Sequence, residues 1–249
     1  MGTKYPDAGP VIDVRGLRKV YAVGSERVVA LANVSFTLAR GEVCCLLGVS
    51  GSGKTTLLNM LAGLEKPTRG TIMLAGAPIH RMSEKKLAAF RQRHMGFVFQ
   101  SYNLLPALTA LENVELPMLF AGVRRKDRRR RAAQLLTAVG LGTHILHRPA
   151  QMSGGQQQRV GIARAFAAAP AVVFADEPTG NLDTKTTAEV MRIIINMVRH
   201  NNQTLILVTH NPELAGYCDR IISLMDGLIT SDIYVDHSAT SENNAEASV

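Results

Sequence analysis

The chain has 249 residues, 46% of them hydrophobic, and a formal net charge of +8. That is long enough for one sizeable α/β core and calls for no second one. No apolar run approaches the roughly 18 residues that cross a bilayer, and Met1 to Pro10 lacks a basic start followed by an apolar core, so a protein made and kept in the cytoplasm is expected.

After a short N-terminal extension, residues 1–10, the stretch from Val11 to Leu38 alternates as strands do and predicts a small antiparallel sheet. Tyr21 falls between these strands, in a loop with Gly24, where it either stacks on a flat heterocycle or simply packs. Val43 to Leu47 reads as a buried strand. Its neighbours Cys44 and Cys45 point to opposite faces, so with Cys218 as the only other thiol neither a disulfide framework nor a zinc site is expected.

The strand runs into Gly48-Val49-Ser50-Gly51-Ser52-Gly53-Lys54-Thr55-Thr56, and a helix follows from Leu57. Strand, glycine-rich turn and helix together form a cradle whose N–H groups and helix dipole favour an oligophosphate. Lys54 is placed to reach the β- and γ-phosphates and the Thr55 hydroxyl to sit on Mg²⁺. The expected ligands are therefore ATP, or another triphosphate, and Mg²⁺.

Lys66 to Gly70 reads as a turn and Thr71 to Gly76 as a strand. Ser83 caps a helix predicted to run to about His94 and to be closed by Gly96. Gly96 to Phe99 is a further strand that delivers Gln100 at its end, where polar residues of open α/β sheets face the ligand crevice. From there to Ser153 the apolar spacing is helical, beginning with Leu104, Leu105 and Leu108, and a helical subdomain inserted at about 101–165 is expected. Within it, Arg124 to Arg131 holds seven cations in eight positions. A solvated helix start explains such a run; contact with anionic headgroups or an acidic partner loop is the alternative. Nucleic acid is not expected, because no aromatics are interleaved and the chain has no Trp.

Ser153-Gly154-Gly155-Gln156 has the capping-box spacing and opens a helix predicted to reach Ala169. It is a second anion receptor, and since one cradle already exists, the economical explanation is that it serves a nucleotide held by another subunit. Ala171 to Asp176 gives a buried strand ending in Asp176, a Mg²⁺ ligand by position, and Glu177, a base able to polarise water. Thr204 to Thr209 delivers His210, which can donate a hydrogen bond to the γ-phosphate. Asp226-Gly227 joins two last strands as a hairpin, and past Ser231 the tail, 231–249, is expected to be disordered.

In order and spacing these features resemble the ATP-binding subunit of an ABC transporter, from about Val11 to Ile229. Only Met152, where the family usually has Leu, departs from the pattern. The resemblance implies a P-loop ABC ATPase fold with an antiparallel β-subdomain and an inserted helical subdomain, in one domain at about 11–230. It implies that Tyr21 stacks on adenine, that Thr55, Gln100 and Asp176 surround Mg²⁺, that Glu177 is the base and His210 the γ-phosphate sensor. Asn181-Leu182-Asp183 is then a loop at the interface of two copies packed head to tail, with ATP between one cradle and the opposite Ser153 to Gln156.

The segments Asn103 to Pro106, Leu111 to Val114 and Pro178 to Asp183 are similar to the macrolide-export and lipoprotein-release branch. That branch implies an integral-membrane permease partner docking near Gln100 to Leu119, and a position on the cytoplasmic face of the inner membrane. A soluble cassette ATPase, or a nucleotide switch not coupled to transport, is the alternative.

Overall fold

The computed structural model describes residues 9–236. Strands β1 (Ile12–Val23) and β2 (Glu26–Leu38) form a long hairpin, joined by β4 (Arg69–Leu74) and β5 (Ala77–Pro78) in an antiparallel sheet of order β2-β1-β4-β5. Strand β3 (Val43–Leu47) passes instead to a six-stranded sheet of order β10-β9-β3-β8-β7-β6. Its other members are β6 (Met95–Phe99), β7 (Val172–Asp176), β8 (Thr204–Thr209), β9 (Arg220–Met225) and β10 (Leu228–Tyr234). All pair in parallel except β10, which returns antiparallel on β9.

Seven α-helices complete the fold among the described residues. They are α1 (Lys54–Leu61), α2 (Glu84–His94), α3 (Ala110–Phe120), α4 (Arg125–Ala138), α5 (Gly154–Phe166), α6 (Thr184–His200) and α7 (Pro212–Ala215). The strands of a parallel sheet covered on both faces are continuously apolar, and the alternation along β3 decides which residue meets which layer. Cys44 and Leu46 lie in the core under the antiparallel sheet, α1 and α2, while Val43 and Cys45 lie in the core under α3 to α6. All three cysteines are buried.

Several local expectations need correction. Tyr21 is not in a loop: pairing continues through Tyr21↔Val28 to Val23↔Glu26, so the turn is confined to Gly24 and Ser25. Helix α2 ends at His94 and Gly96 lies in a strand, both as expected, but Gly96 does not close the helix: Met95 is already extended and opens β6, and a Cβ on Gly96 would stand 2.2 Å from the Ala165 carbonyl oxygen. Leu104 to Leu108 are not helical. Asn113, wholly buried on α3, donates to the carbonyls of Leu105, Leu108 and Thr109 and accepts from Leu105 N–H, fixing a turn that contains Pro106; the helix begins only after the Thr109–Glu112 capping box. Helix α5 stops at Phe166, since Ala169 turns left-handed (φ 50°) ahead of Pro170.

At the other end, β10 continues past Ser231 to Tyr234. Asp232 accepts Arg220 Nε at 2.6 Å, and the Arg220 guanidinium lies over the Tyr234 ring at 5.1 Å, so the residues expected to begin a disordered tail close a sheet edge instead. The remainder of that tail, and most of the N-terminal extension, lie outside the described residues. The Asp226-Gly227 turn has both residues at positive φ, 48° and 74°, as a two-residue hairpin of this kind requires.

Candidate functional site

Parallel pairing brings the carboxyl ends of four strands to one edge. Leu47 pairs with Thr209, Asp176 with Val208 and Phe99 with Asp176, so the residues that follow, Gly48, Gln100, Glu177 and His210, all emerge there. Ligands of open α/β sheets bind at this edge. A cavity of about 300 Å³ opens on it, lined by Ser50, Gly51, Gly53, Lys54, Thr55 and Thr56 on one side and by Asp176, Glu177 and His210 on the other. Ala30 and Val208 complete its walls; nothing in their residue type signalled a ligand.

The glycine loop meets steric demands that only glycine satisfies. Gly53 has φ 101° and a Cβ there would lie 2.7 Å from the Ala30 carbonyl; at Gly48 it would lie 2.5 Å from that of Leu224. Gly53 is also the N-cap of α1 and supplies no capping side chain, whereas α3, α5 and α6 are capped by Thr109, Ser153 and Asp183. The first N–H groups of α1 therefore face the cavity without an intrahelical partner, which fits an anion. Lys54, buried, donates to the Gly48 and Val49 carbonyls at 2.7 and 2.8 Å.

The acidic side is as tightly set. Burial first, then the neighbouring Glu177 carboxylate, raises the Asp176 carboxyl above its ordinary value, and Lys54 pulls the other way. Glu177 sits in the left-handed region (φ 43°), its N–H bonded to Val208 O at 2.9 Å. Its carboxylate accepts from Thr209 Oγ1 at 3.1 Å, from His210 N at 3.0 Å and from the His210 ring at 2.6 Å. Sequence reasoning missed Thr209; a hydroxyl residue at the buried end of an otherwise apolar strand is the signal that could have found it. Thr55 and Asp176 offer hard oxygens, which suit Mg²⁺. Among the described residues no group of three or more His, Cys, Asp or Glu could hold a metal, so Mg²⁺ at this edge would need oxygens from the nucleotide as well.

Four predicted groups, besides Gly48, Val49 and Ser52 of the glycine loop, do not line the cavity. Gln100 reaches the edge, but its amide donates to Asn181 Oδ1 at 3.4 Å while Asn181 Nδ2 donates to Gln100 O at 3.1 Å. Tyr21 hydrogen-bonds Glu65 Oε2 at 2.7 Å, and Lys19, 5.0 Å above its ring, pairs with the same carboxylate. Burial foremost, with the Glu65 bond, raises the Tyr21 phenol, a hydrogen bond with Thr56 opposing. The group Ser153 to Gln156 lies on the helical side, its capping box formed by Gln156 N to Ser153 Oγ at 3.3 Å and Ser153 N to Gln156 Oε1 at 2.9 Å. A Cβ on Gly154 would meet the Tyr102 hydroxyl at 2.8 Å, and one on Gly155 the Thr186 methyl at 2.8 Å. The loop from Asn181 to Asp183 thus touches Gln100 at one end and the Ser153 group, through Leu182 and Thr186, at the other.

The sequence profile of the ABC transporter family matches residues 31–180, across the glycine loop, the Ser153 group and both carboxylates. The chain belongs to the ABC transporter family, as one of its ATP-binding ATPase cassettes. It is 51% identical to an ABC transporter ATP-binding protein of Thermotoga maritima over 219 residues, 88% of this chain and 93% of that one. It is 45% identical to the lipoprotein-releasing system ATP-binding protein LolD of Geobacter metallireducens, over 89% of this chain and 99% of that one. The cassette MJ0796, solved as a dimer in a post-hydrolysis state bound to ADP and Pi, superposes with a TM-score of 0.83 at 38% identity, covering 90% of this chain and 99% of its own. No helix among the described residues of this cassette is long and apolar enough to cross a membrane.

Proposed function

We propose that the cassette hydrolyses ATP as one half of a head-to-tail pair and uses the cycle to drive an integral-membrane permease. The observation that carries this reading is the separation just described. The glycine loop, Asp176, Glu177 and His210 share one cavity, while Ser153 to Gln156 present a second helix N-terminus that does not line it. A second copy supplies that helix start to the exposed side of the triphosphate, with Asn181 to Asp183 at the seam, and a dimeric relative supports the arrangement.

In each site Gly48 to Thr56 hold the phosphates, and Lys54 exchanges its bonds to Gly48 and Val49 carbonyls for phosphate oxygens. Thr55 and Asp176, joined by Gln100 once it leaves Asn181, hold Mg²⁺, which neutralises charge on the β- and γ-oxygens when bound. Glu177 takes the proton of the attacking water, and His210 turns from Glu177 to the γ-phosphate as sensor. Tyr21 faces the adenine. Losing the γ-phosphate removes what both halves grip, so the pair reopens.

The permease end of the reading rests on an apolar groove of about 350 Å³ between β6 and α3, lined by Phe97, Phe99, Leu116, Pro117 and Phe120 among others. It adjoins Gln100, so a cytoplasmic segment of a membrane protein seated there is coupled directly to the nucleotide edge. The LolD relative supports a lipoprotein-release type of permease, with the cassette peripheral on the cytoplasmic face of the membrane. The test is phosphate release and sedimentation of the isolated cassette with ATP and Mg²⁺, and copurification of the permease encoded beside it. Full turnover by a species that stays monomeric at every nucleotide concentration would overturn the shared site; loss of copurification on Phe120→Asp is expected from the groove.

A further inference from the structure

We propose that the basic tip where α3 turns into α4 binds the anionic headgroups of a phospholipid surface. Seven of the eight residues from Arg124 to Arg131 are cationic, and the fold absorbs few of them. Arg128 is used internally, with Nε 3.2 Å from Glu115 Oε2 and Nη1 donating to the Val123 carbonyl. Arg124 and Arg130 share the single carboxylate of Asp127 at 3.6 and 3.5 Å, yet remain 91% and 71% exposed. Arg125 and Lys126 are exposed with no ion pair or hydrogen bond from their side chains among the described residues, and Arg129 acts only at a distance on Glu112.

This placement works against the helix it starts. Cations at a helix N-terminus oppose the dipole, which favours acids there. Arg124, the N-cap residue of α4, makes no side-chain cap bond, whereas α3 next to it opens with a complete capping box. Seven cations that cost helix stability meet only two internal carboxylates, Asp127 and Glu115, so the excess charge is arranged for an anion outside the chain, and it spans more charge than one phosphate carries.

An apolar neighbour of the tip selects the kind of anion. Leu119, near the end of α3, is 46% exposed and does not line the groove, and the turn at Ala121 and Gly122 leads from this helix end to Arg124. An exposed aliphatic side chain beside a polybasic run suits the boundary between headgroups and acyl chains. A nucleic-acid backbone would use the charge and leave Leu119 in water. The inference goes beyond the reading above: the groove receives protein, the tip receives lipid, and neither nucleotide nor permease is needed for it.

Cosedimentation of the full chain with large vesicles tests it. Binding is expected to vesicles containing phosphatidylglycerol and not to phosphatidylcholine alone, and to weaken as salt rises. The triple variant R125Q/K126Q/R129Q should lower partitioning on the order of a hundredfold, at roughly fivefold for each cation. Its melting temperature and ATPase rate should be no lower than those of the parent, which separates lost binding from lost fold. R18Q/R27Q/R69Q removes the same charge from exposed arginines of the antiparallel sheet and should bind almost as the parent does. Equal losses from the two triples, or no preference for phosphatidylglycerol, would overturn the proposal, as would an acidic protein partner captured at the tip by a chain that ignores vesicles.

Discussion

The His210 ring nitrogen Nδ1 lies 2.6 Å from Oε1 of Glu177, and Thr209 Oγ1 lies 3.1 Å from the other carboxylate oxygen. Two consecutive residues at the end of β8 thus fix the carboxylate that follows β7 before any nucleotide arrives, and Glu177 holds a backbone conformation (φ 43°) that costs a side-chain-bearing residue about 1–2 kcal/mol. Strain of this kind persists only where the surroundings over-determine it. The preset geometry is what a general base requires. Glu177→Gln keeps the shape and, through its amide oxygen, can still accept from His210, but its NH2 cannot accept from Thr209 and the group loses basicity, so hydrolysis should fall by about 10²- to 10⁴-fold while ATP is still bound. Phosphate release and nucleotide retention on a filter check this, and a parental rate would remove Glu177 from the role.

Thr209 is a positioning residue and its variant should behave differently. Its hydroxyl donates to Glu177 and accepts from Asn211 N–H at 3.1 Å, and its side chain is wholly buried. Thr209→Val removes both bonds in the same volume. The expected result is a kcat about tenfold lower with KM for ATP unchanged, plus about 1–2 kcal/mol of lost stability. Thr209→Ser should restore kcat. A rise in KM alone would show that the hydroxyl serves binding instead.

Asp176 makes the site sensitive to acid. Burial and Glu177 raise its carboxyl above the ordinary value of 3.8, so it takes up a proton at a higher pH than a free carboxylate does. Mg²⁺-dependent ATP binding should therefore weaken on acidification before ordinary carboxylates titrate. The sign for stability is the reverse. A raised folded-state value means the folded form is favoured while protonated, an advantage present below the unfolded value and lost as pH rises through the folded one. Asp176→Asn should accordingly raise the melting temperature of the nucleotide-free protein near neutral pH and leave it unchanged in acid; a lower Tm at neutral pH would contradict the desolvation argument.

The helical side depends on contacts that forbid a single methyl group. Gly96 has ordinary backbone angles, yet its missing Cβ lets the Ala165 carbonyl approach β6 to where a Cβ would be 2.2 Å away. Gly96→Ala must push α5 from β6, and since backbone is what it meets, a loss of about 1–3 kcal/mol or more is expected, seen as a Tm lower by several degrees. An unchanged Tm would mean that α5 can slide on the sheet.

That glycine also marks where sequence reasoning stops. The two nucleotide edges were legible because their chemistry is local: a strand followed by Gly48 to Thr56, and a strand followed by Asp176 and Glu177, name their own positions at a parallel sheet edge. Gly96 looked like a helix stop, because its real reason is a carbonyl contributed by a helix some seventy residues later in the chain. Leu104 to Leu108 carried helical spacing, but the Asn113 side chain binds two of the carbonyls a helix there would have used, those of Leu105 and Leu108. Tyr21 seemed to sit in a loop for want of its cross-strand partner Val28. In each case a tertiary contact overrode a local preference, and the residues that made it carried no periodic signal.

The last prediction concerns which copy owns which half of the site. Ser153 caps α5 through its hydroxyl, so Ser153→Ala confounds lost capping, about 0.5–2 kcal/mol, with lost phosphate contact. Ser153→Asp avoids this, because aspartate caps equally well while its charge repels a phosphate. If the group serves the opposite cradle, a mixed dimer of one Ser153→Asp chain with one Lys54→Ala chain keeps one intact site, made of the first chain's Lys54 and the second chain's Ser153. Placing both substitutions in one chain beside a parental partner instead disables both sites. A site built within a single chain predicts the opposite: no turnover from the first pairing and turnover from the second. Separately tagged copies purified as mixed dimers and assayed for phosphate release distinguish the two geometries without any measurement of structure, and turnover only in the second pairing would sink the head-to-tail arrangement.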